Sequence, residues 1–216
     1  MRAILKGSYP AGAVLPAERE LSRRLGVTRP TLREALQRLH RDGWLHIRQG
    51  KGTRVNDVWR EGGLNVLGAV VRFSRPLPPG FVSDLLEVRC RLAPGYARAA
   101  VERAPAKVAS LLAEAEALGD TAEAWARFDW AVHQALAAMS GNPVYSLILN
   151  GFGGFYESVA RGYFAAAKTR AASRAFYGAL RGAARRRSAG GAERVTRRAM
   201  QESIELWRGV ERRSRA

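Results

Sequence analysis

From Leu15 to Val55 the chain reads LPAERELSRRLGVTRPTLREALQRLHRDGWLHIRQGKGTRV, two helical patterns and a hairpin pattern separated by glycines. Pro16 suits the start of a short helix in which Leu21 and Leu25 fall four apart on one face. Gly26 stops that helix, because it can take the positive φ of a helix end, and Val27 plugs the turn. Thr28 is a good N-cap and Pro30 belongs in a first turn, where its missing N–H costs nothing. A second helix therefore starts there. Leu32, Ala35, Leu36 and Leu39 form its expected buried stripe, while Arg33, Gln37 and Arg41 run along an adjoining polar face. Gly43 ends it. Trp44, Leu45 and Ile47 then lead into a hairpin that turns at Gln49-Gly50-Lys51-Gly52 and returns through Thr53 to Val55. Two short helices and a Gly-rich hairpin in this order predict a winged helix-turn-helix, a shape that enters a DNA major groove with its second helix.

Composition agrees with a polyanionic partner without proving one. The 216 residues carry 36 Lys and Arg against 19 Asp and Glu, a net charge of +17. Such a surface supplies the salt-dependent, sequence-independent part of DNA affinity. The excess is not confined to the first domain: up to Arg72 there are 14 basic and 6 acidic residues, and beyond it 22 and 13. The single cysteine, Cys90, excludes an internal disulfide framework and reads as a small buried hydrophobe. No apolar run reaches the ~18 residues of a membrane span, and Met1 to Gly7 is too short for a signal peptide, so a cytoplasmic protein without a membrane partner is expected.

Beyond Asn56 to Gly63, a stretch of turn formers, the pattern is helical almost to the end. Helices are expected over about 64–73, 81–103, 106–119, 121–139, 143–165, 169–187 and 191–213, parted by breaks such as Pro76 to Gly80 and Gly141-Asn142-Pro143. The predicted fold is thus mostly α. A winged helix-turn-helix over 1–55 and a linker over 56–63 precede an all-α helical bundle over 64–216.

The segment LPAERELSRRLGVTRPTLREALQRL with RQGKGTRV resembles the DNA-binding domain of the GntR family of bacterial regulators. GLNVL (Gly63 to Leu67) and SGNPVYSLILNGFGGFYESVARGYFA (Ser140 to Ala165) are similar to its fatty-acid-responsive branch. That resemblance runs almost without gaps from about Met1 to Arg213. It implies a homodimeric transcription factor that represses fatty acid degradation genes, activates synthesis genes, and leaves its operator when a long-chain acyl-CoA binds the helical domain. No cofactor is implied. It also implies a first helix longer than Met1 to Ser8 allows, so either the winged domain is less covered than in relatives or translation starts upstream.

On this reading Arg29 and Arg33 read bases in double-stranded DNA. Arg19, Thr28 and Thr31 fix register on phosphates, and Gln49, Gly50 and Lys51 act in the wing. One recognition helix covers few base pairs, so a pseudo-palindromic operator and a two-fold dimer are expected. The resemblance places Arg89, Tyr163, Tyr177, Ser203, Trp207 and Arg212 at the acyl-CoA site: hydroxyls for the thioester and amide spacer, an aromatic for packing, cations for the charged part. Ala199 and Met200 stand where it implies a tyrosine and a glycine, which bears on acyl-chain length.

Asp129 and His133 stand at i, i+4 on one helix face, a spacing that presents two ligands to one metal. Family members with a metal add two later histidines, where this chain has Gly178 and Gln201. Two ligands alone would hold a divalent ion weakly, so a structural pair lining the pocket is the preferred reading, and a regulator answering to another small acid or a metal-bound effector is the alternative. An enzyme using the pair for acid-base chemistry is disfavoured, because no Gly-x-Ser-x-Gly elbow, phosphate loop or second carboxylate cluster accompanies His133.

Overall fold

The computed structural model describes residues 1–48, 50–74 and 76–215, with side chains through Glu211. The chain divides into two compact units, Met1–Pro78 and Pro79–Ala216.

The first unit opens with α1 (Arg2–Leu5), then α2 (Glu18–Leu25) and α3 (Arg29–Arg41). Gly26 caps α2 in the left-handed conformation, at φ 65°. The Thr28 hydroxyl accepts from the Thr31 N–H at 3.4 Å and caps α3, with Pro30 in the first turn as expected. Strands β1 (Leu45–His46) and β2 (Arg54–Val55) form the antiparallel wing, with Leu45 opposite Val55 and His46 opposite Arg54. A bridge from Val14 to Arg54 widens it. A side chain at Gly52 would start 2.4 Å from Val14 Cγ1, so any larger residue requires the exposed Val14 side chain to turn aside.

The core beneath is Leu21, Leu32, Leu36, Trp44, Leu45 and Val55. Four expected core positions are not in it: Leu39 is half-buried, and three others are exposed. Leu25 and Val27 are exposed, because α2 ends at Gly26 before any described side chain covers them, and Ala35 faces solvent on the flank of α3.

The stretch expected as a linker is bound to the wing. Asn56 Nδ2 donates to Gly43 O at 3.1 Å, Arg54 pairs with Glu61 at 2.9 Å, and α4 (Val58–Glu61) is capped by Asp57 and buries Val58. After it, α5 (Asn65–Phe73) buries Val66, Ala69 and Val70. With the apolar faces of α4 and α5 buried, the first compact unit runs on to Pro78.

The second unit is helical throughout its described residues: α6 (Phe81–Arg103), α7 (Pro105–Ala113) with a tightened 3-10 turn over Glu114–Ala117, α8 (Ala122–Met139), α9 (Pro143–Asn150), α10 (Tyr156–Phe164), α11 (Ala167–Arg185) and α12 (Ala189–Arg215). The single helix expected over 143–165 is two. The chain leaves helix at Gly151 to Phe155, where Gly153 and Gly154 offer little to hold it and Phe155 turns inward to a buried site. α12 packs along α6, α10 along α8, and α11 along α7 and α12, around Tyr96, Trp125, Leu136, Phe164, Tyr177 and Leu180. No helix among the described residues is long and apolar enough to cross a membrane.

Candidate DNA-reading surface and effector site

On the first unit, α3 presents its polar face to solvent. Arg19, Thr28, Arg29, Thr31, Arg33, Gly50 and Lys51 are all exposed, as a surface meant to meet DNA requires, while Gln49 lies outside the described residues. Thr28 and Thr31 are tied together, hydroxyl to hydroxyl, at 2.9 Å, so the start of α3 is held in shape before any partner arrives. Arg33 is not idle: its Nε donates to Glu18 Oε2 at 2.7 Å, an exposed pair that a phosphate or base can exchange at little cost.

In the second unit, five helices converge on one buried carboxylate. Asp129 of α8 accepts from Tyr177 Oη of α11 at 2.7 Å on Oδ1 and from Tyr156 Oη of α10 on Oδ2. Arg89 of α6 stands 3.4 Å from Oδ2 and donates to Tyr156 Oη and to Ser203 Oγ of α12, both at 2.9 Å. Burial would neutralise this ion pair; the opposed charges and the tyrosine hydrogen bonds instead hold the Asp129 carboxyl below its ordinary range and keep Arg89 firmly protonated. The same burial, beside a carboxylate, pushes Tyr156 and Tyr177 well above the usual phenol range and Tyr163 up to about 12. Every tyrosine here is a neutral hydroxyl donor at any physiological pH.

His133 stays beside the carboxylate on the pocket wall, as its i, i+4 spacing suggested, but takes its hydrogen bond elsewhere. Its Nδ1 meets Tyr96 Oη at 2.6 Å, its Nε2 is 3.8 Å from Asp129, and burial lowers its pKa to about 4. The described residues hold no cluster of three or more metal-ligating side chains.

An apolar cavity opens against this cluster, walled by Val82, Leu85, Leu149, Phe152, Val159 and Phe164. Arg89, Asp129 and His133 form its polar end and Trp207 borders it. Its volume is about 70 Å³. A smaller, more polar hollow lies across the cluster and shares Arg89, Asp129 and Tyr163 with the first; Ser203, Ala199 and Met200 line it. Four of the expected ligand residues, Arg89, Tyr163, Tyr177 and Ser203, are thus brought together, and Trp207 joins them by packing over Gly162 of α10. The Arg212 side chain lies outside the described residues. The charge of Arg89, expected to face the charged part of a ligand, is matched internally by Asp129. Sequence reasoning missed Tyr156 and Tyr96. Each lies seven residues from a chosen residue on its own helix, Tyr163 and Arg89, so the i, i+7 face was the available signal.

Comparison with known proteins divides the chain at residue 55. Residues 1–55 match the model of bacterial regulatory proteins of the gntR family, and residues 56–214 that of the FadR C-terminal domain. The chain is 44% identical over 207 residues to the fatty acid metabolism regulator protein of Shewanella amazonensis, covering 96% of this chain and 86% of that one. The protein of the same name from Edwardsiella ictaluri is 42% identical over 211 residues, covering 98% and 88%. Among solved structures, E. coli McbR/YncC is similar in fold, with a TM-score of 0.51 and 18% identity over 96% of this chain and 93% of that one. Lar of Listeria monocytogenes is similar in fold at a TM-score of 0.51 and 19% identity, over 96% and 90%.

Proposed function

Because the chain belongs to the gntR family of bacterial regulatory proteins and carries a FadR C-terminal domain, we propose that it controls fatty acid metabolism genes and leaves its operator when a long-chain acyl-CoA binds the helical unit. It is a transcription regulator, not an enzyme. In this reading it binds DNA in the cytoplasm as a homodimer on a pseudo-palindromic operator, with α3 in the major groove and Arg29 and Arg33 on base edges.

The observation that carries the ligand is the apolar cavity ending on the Arg89–Asp129 cluster. An acyl chain suits the apolar walls. A thioester carbonyl, neutral and an acceptor, suits an arginine whose charge is already opposed, whereas a phosphate would leave Asp129 without its counter-charge. The hollow on the far side, with Ser203 and Met200, suits the polar arm beyond the thioester. An acyl chain that fills the cavity packs directly against α6 and α10, which line it. A ligand that moves the helices it binds can favour one conformation over another, which is the condition for releasing DNA.

Fluorescence anisotropy on DNA from upstream of fatty acid genes, with and without oleoyl-CoA, tests the reading. The expected result is a dimer per operator and weaker binding as oleoyl-CoA is added. If calorimetry finds no oleoyl-CoA binding to the wild type or to Met200→Gly, which enlarges the polar hollow, the acyl-CoA reading is overturned while DNA binding stands.

A further inference from the structure

Arg89 and Asp129 line both the apolar cavity and the polar hollow, with 14% and 5% of their side chains exposed, so a head group at this end of the cavity meets a cation and an anion together. The arginine is already engaged: Nη1 stands 3.4 Å from Asp129 Oδ2 and donates to Tyr156, and Nη2 donates to Ser203. Around the pair, Tyr156 and Tyr163 of α10, Tyr177 of α11 and the bonded Tyr96 and His133 are neutral, while Glu202 of α12 adds a second carboxylate on the hollow side. Among the residues that line the two spaces, carboxylates therefore outnumber the cation. A ligand carboxylate brought here loses its water, finds Arg89 already opposed, and is repelled by Asp129 across a space that holds little solvent. A neutral carbonyl of the same shape meets no such repulsion.

We propose that Asp129 sets the chemical class of the effector, excluding free fatty acids and admitting neutral acyl derivatives, because it satisfies the arginine that a ligand carboxylate would need. This deepens the acyl thioester reading above and rests on it. In the wild type a fatty acid enters only as the uncharged acid and takes up a proton as it binds. In Asp129→Asn the side chain keeps its shape and one oxygen for a tyrosine, but Arg89 lacks its counter-charge, and a ligand carboxylate supplies it.

Calorimetry on the full chain compares decanoate with decanamide, which differ in charge but hardly in shape, and with decanoyl-CoA. At pH 8 the wild type is expected to bind the amide at least about tenfold more tightly than the acid, and the acid to gain about tenfold per unit as the pH is lowered to 6 while the amide stays constant. In Asp129→Asn the order inverts, and the acid binds without that pH dependence. If this variant does not fold, the wild-type pH series decides alone. Wild-type binding of the acid as tight as that of the amide at pH 8, a gap that does not narrow toward pH 6, or a folded variant that keeps the wild-type order overturns this inference and leaves the acyl reading intact. So does binding of decanoyl-CoA when neither small probe binds. Failure of all three to bind the wild type overturns the acyl reading and this inference with it.

Discussion

On the first unit, Arg33 and Glu18 meet at 2.7 Å with 67% and 39% of their side chains exposed; inside the second, Arg89 and Asp129 stand 3.4 Å apart with 14% and 5% exposed. The closer pair holds less. Water screens the exposed ions, and ordering two long side chains offsets most of their attraction, so such pairs contribute about 0–1 kcal/mol. The buried pair is tied in by Tyr156, Tyr177 and Ser203, and removing one partner strands the other charge without water. The difference suits the two tasks proposed for these sites. A DNA-reading surface needs cations that exchange partners readily, whereas an effector site needs polar groups held in place by several helices before the ligand arrives.

The largest expected effect breaks the buried side of this contrast. Asp129→Ala leaves the Arg89 cation uncompensated and two tyrosine hydroxyls without their acceptor, and should cost about 3–5 kcal/mol in urea unfolding of the helical unit. A loss below 1 kcal/mol would mean that Asp129 is no more structural than Glu18.

Next comes pH. The folded-state pKa of His133 is lowered to about 4 from 6.5, so between these values the unfolded chain binds a proton that the folded chain does not. Stability contributed by keeping this ring neutral is whole above pH 6.5 and lost as the pH falls toward 4, by up to about 1.4 kcal/mol per unit. The lowered carboxylates, Glu61, Glu193 and Asp129 among them, begin to act from about pH 5 downward and overlap the acid end of that window, so the difference between wild type and His133→Gln, not the fall itself, reports His133. Unfolding midpoints of wild type and His133→Gln at pH 7 and pH 5 should show the steeper fall in the wild type; parallel lines would remove His133 as the cause.

On the exposed side, Arg29→Ala should reduce discrimination between operator and random DNA by about 1–3 kcal/mol with little change in stability. Equal loss on both DNAs would make Arg29 a phosphate contact instead. The smallest effect sharpens the comparison: Glu18→Ala should change stability by less than about 1 kcal/mol and strengthen DNA binding, since it releases Arg33 and removes a negative charge from the surface. If DNA binding weakens, Glu18 orients Arg33 rather than merely occupying it.

Much of the first unit was legible because its determinants are local. Thr28, Pro30 and Gly26 set helix ends through their own backbone preferences, and the Gly-rich turn between two apolar runs set the wing. Exposure followed less well, since Leu25 and Val27 are apolar by type but nothing among the described residues packs over them.

In the second unit the sequence by itself determined the helices, most of their breaks, and the Asp129–His133 spacing. It could not determine partners. Arg89 and Ser203 are 114 residues apart and Tyr177 stands 48 beyond Asp129, so no periodicity along one helix links them. Only the packing of α6, α8, α10, α11 and α12 decided that Asp129 takes Arg89 and two tyrosines while His133 turns to Tyr96. The same cause draws α4 and α5 into the first compact unit. Their apolar faces looked alike in sequence to those of any bundle helix, and what each one is buried against is a property of the folded chain.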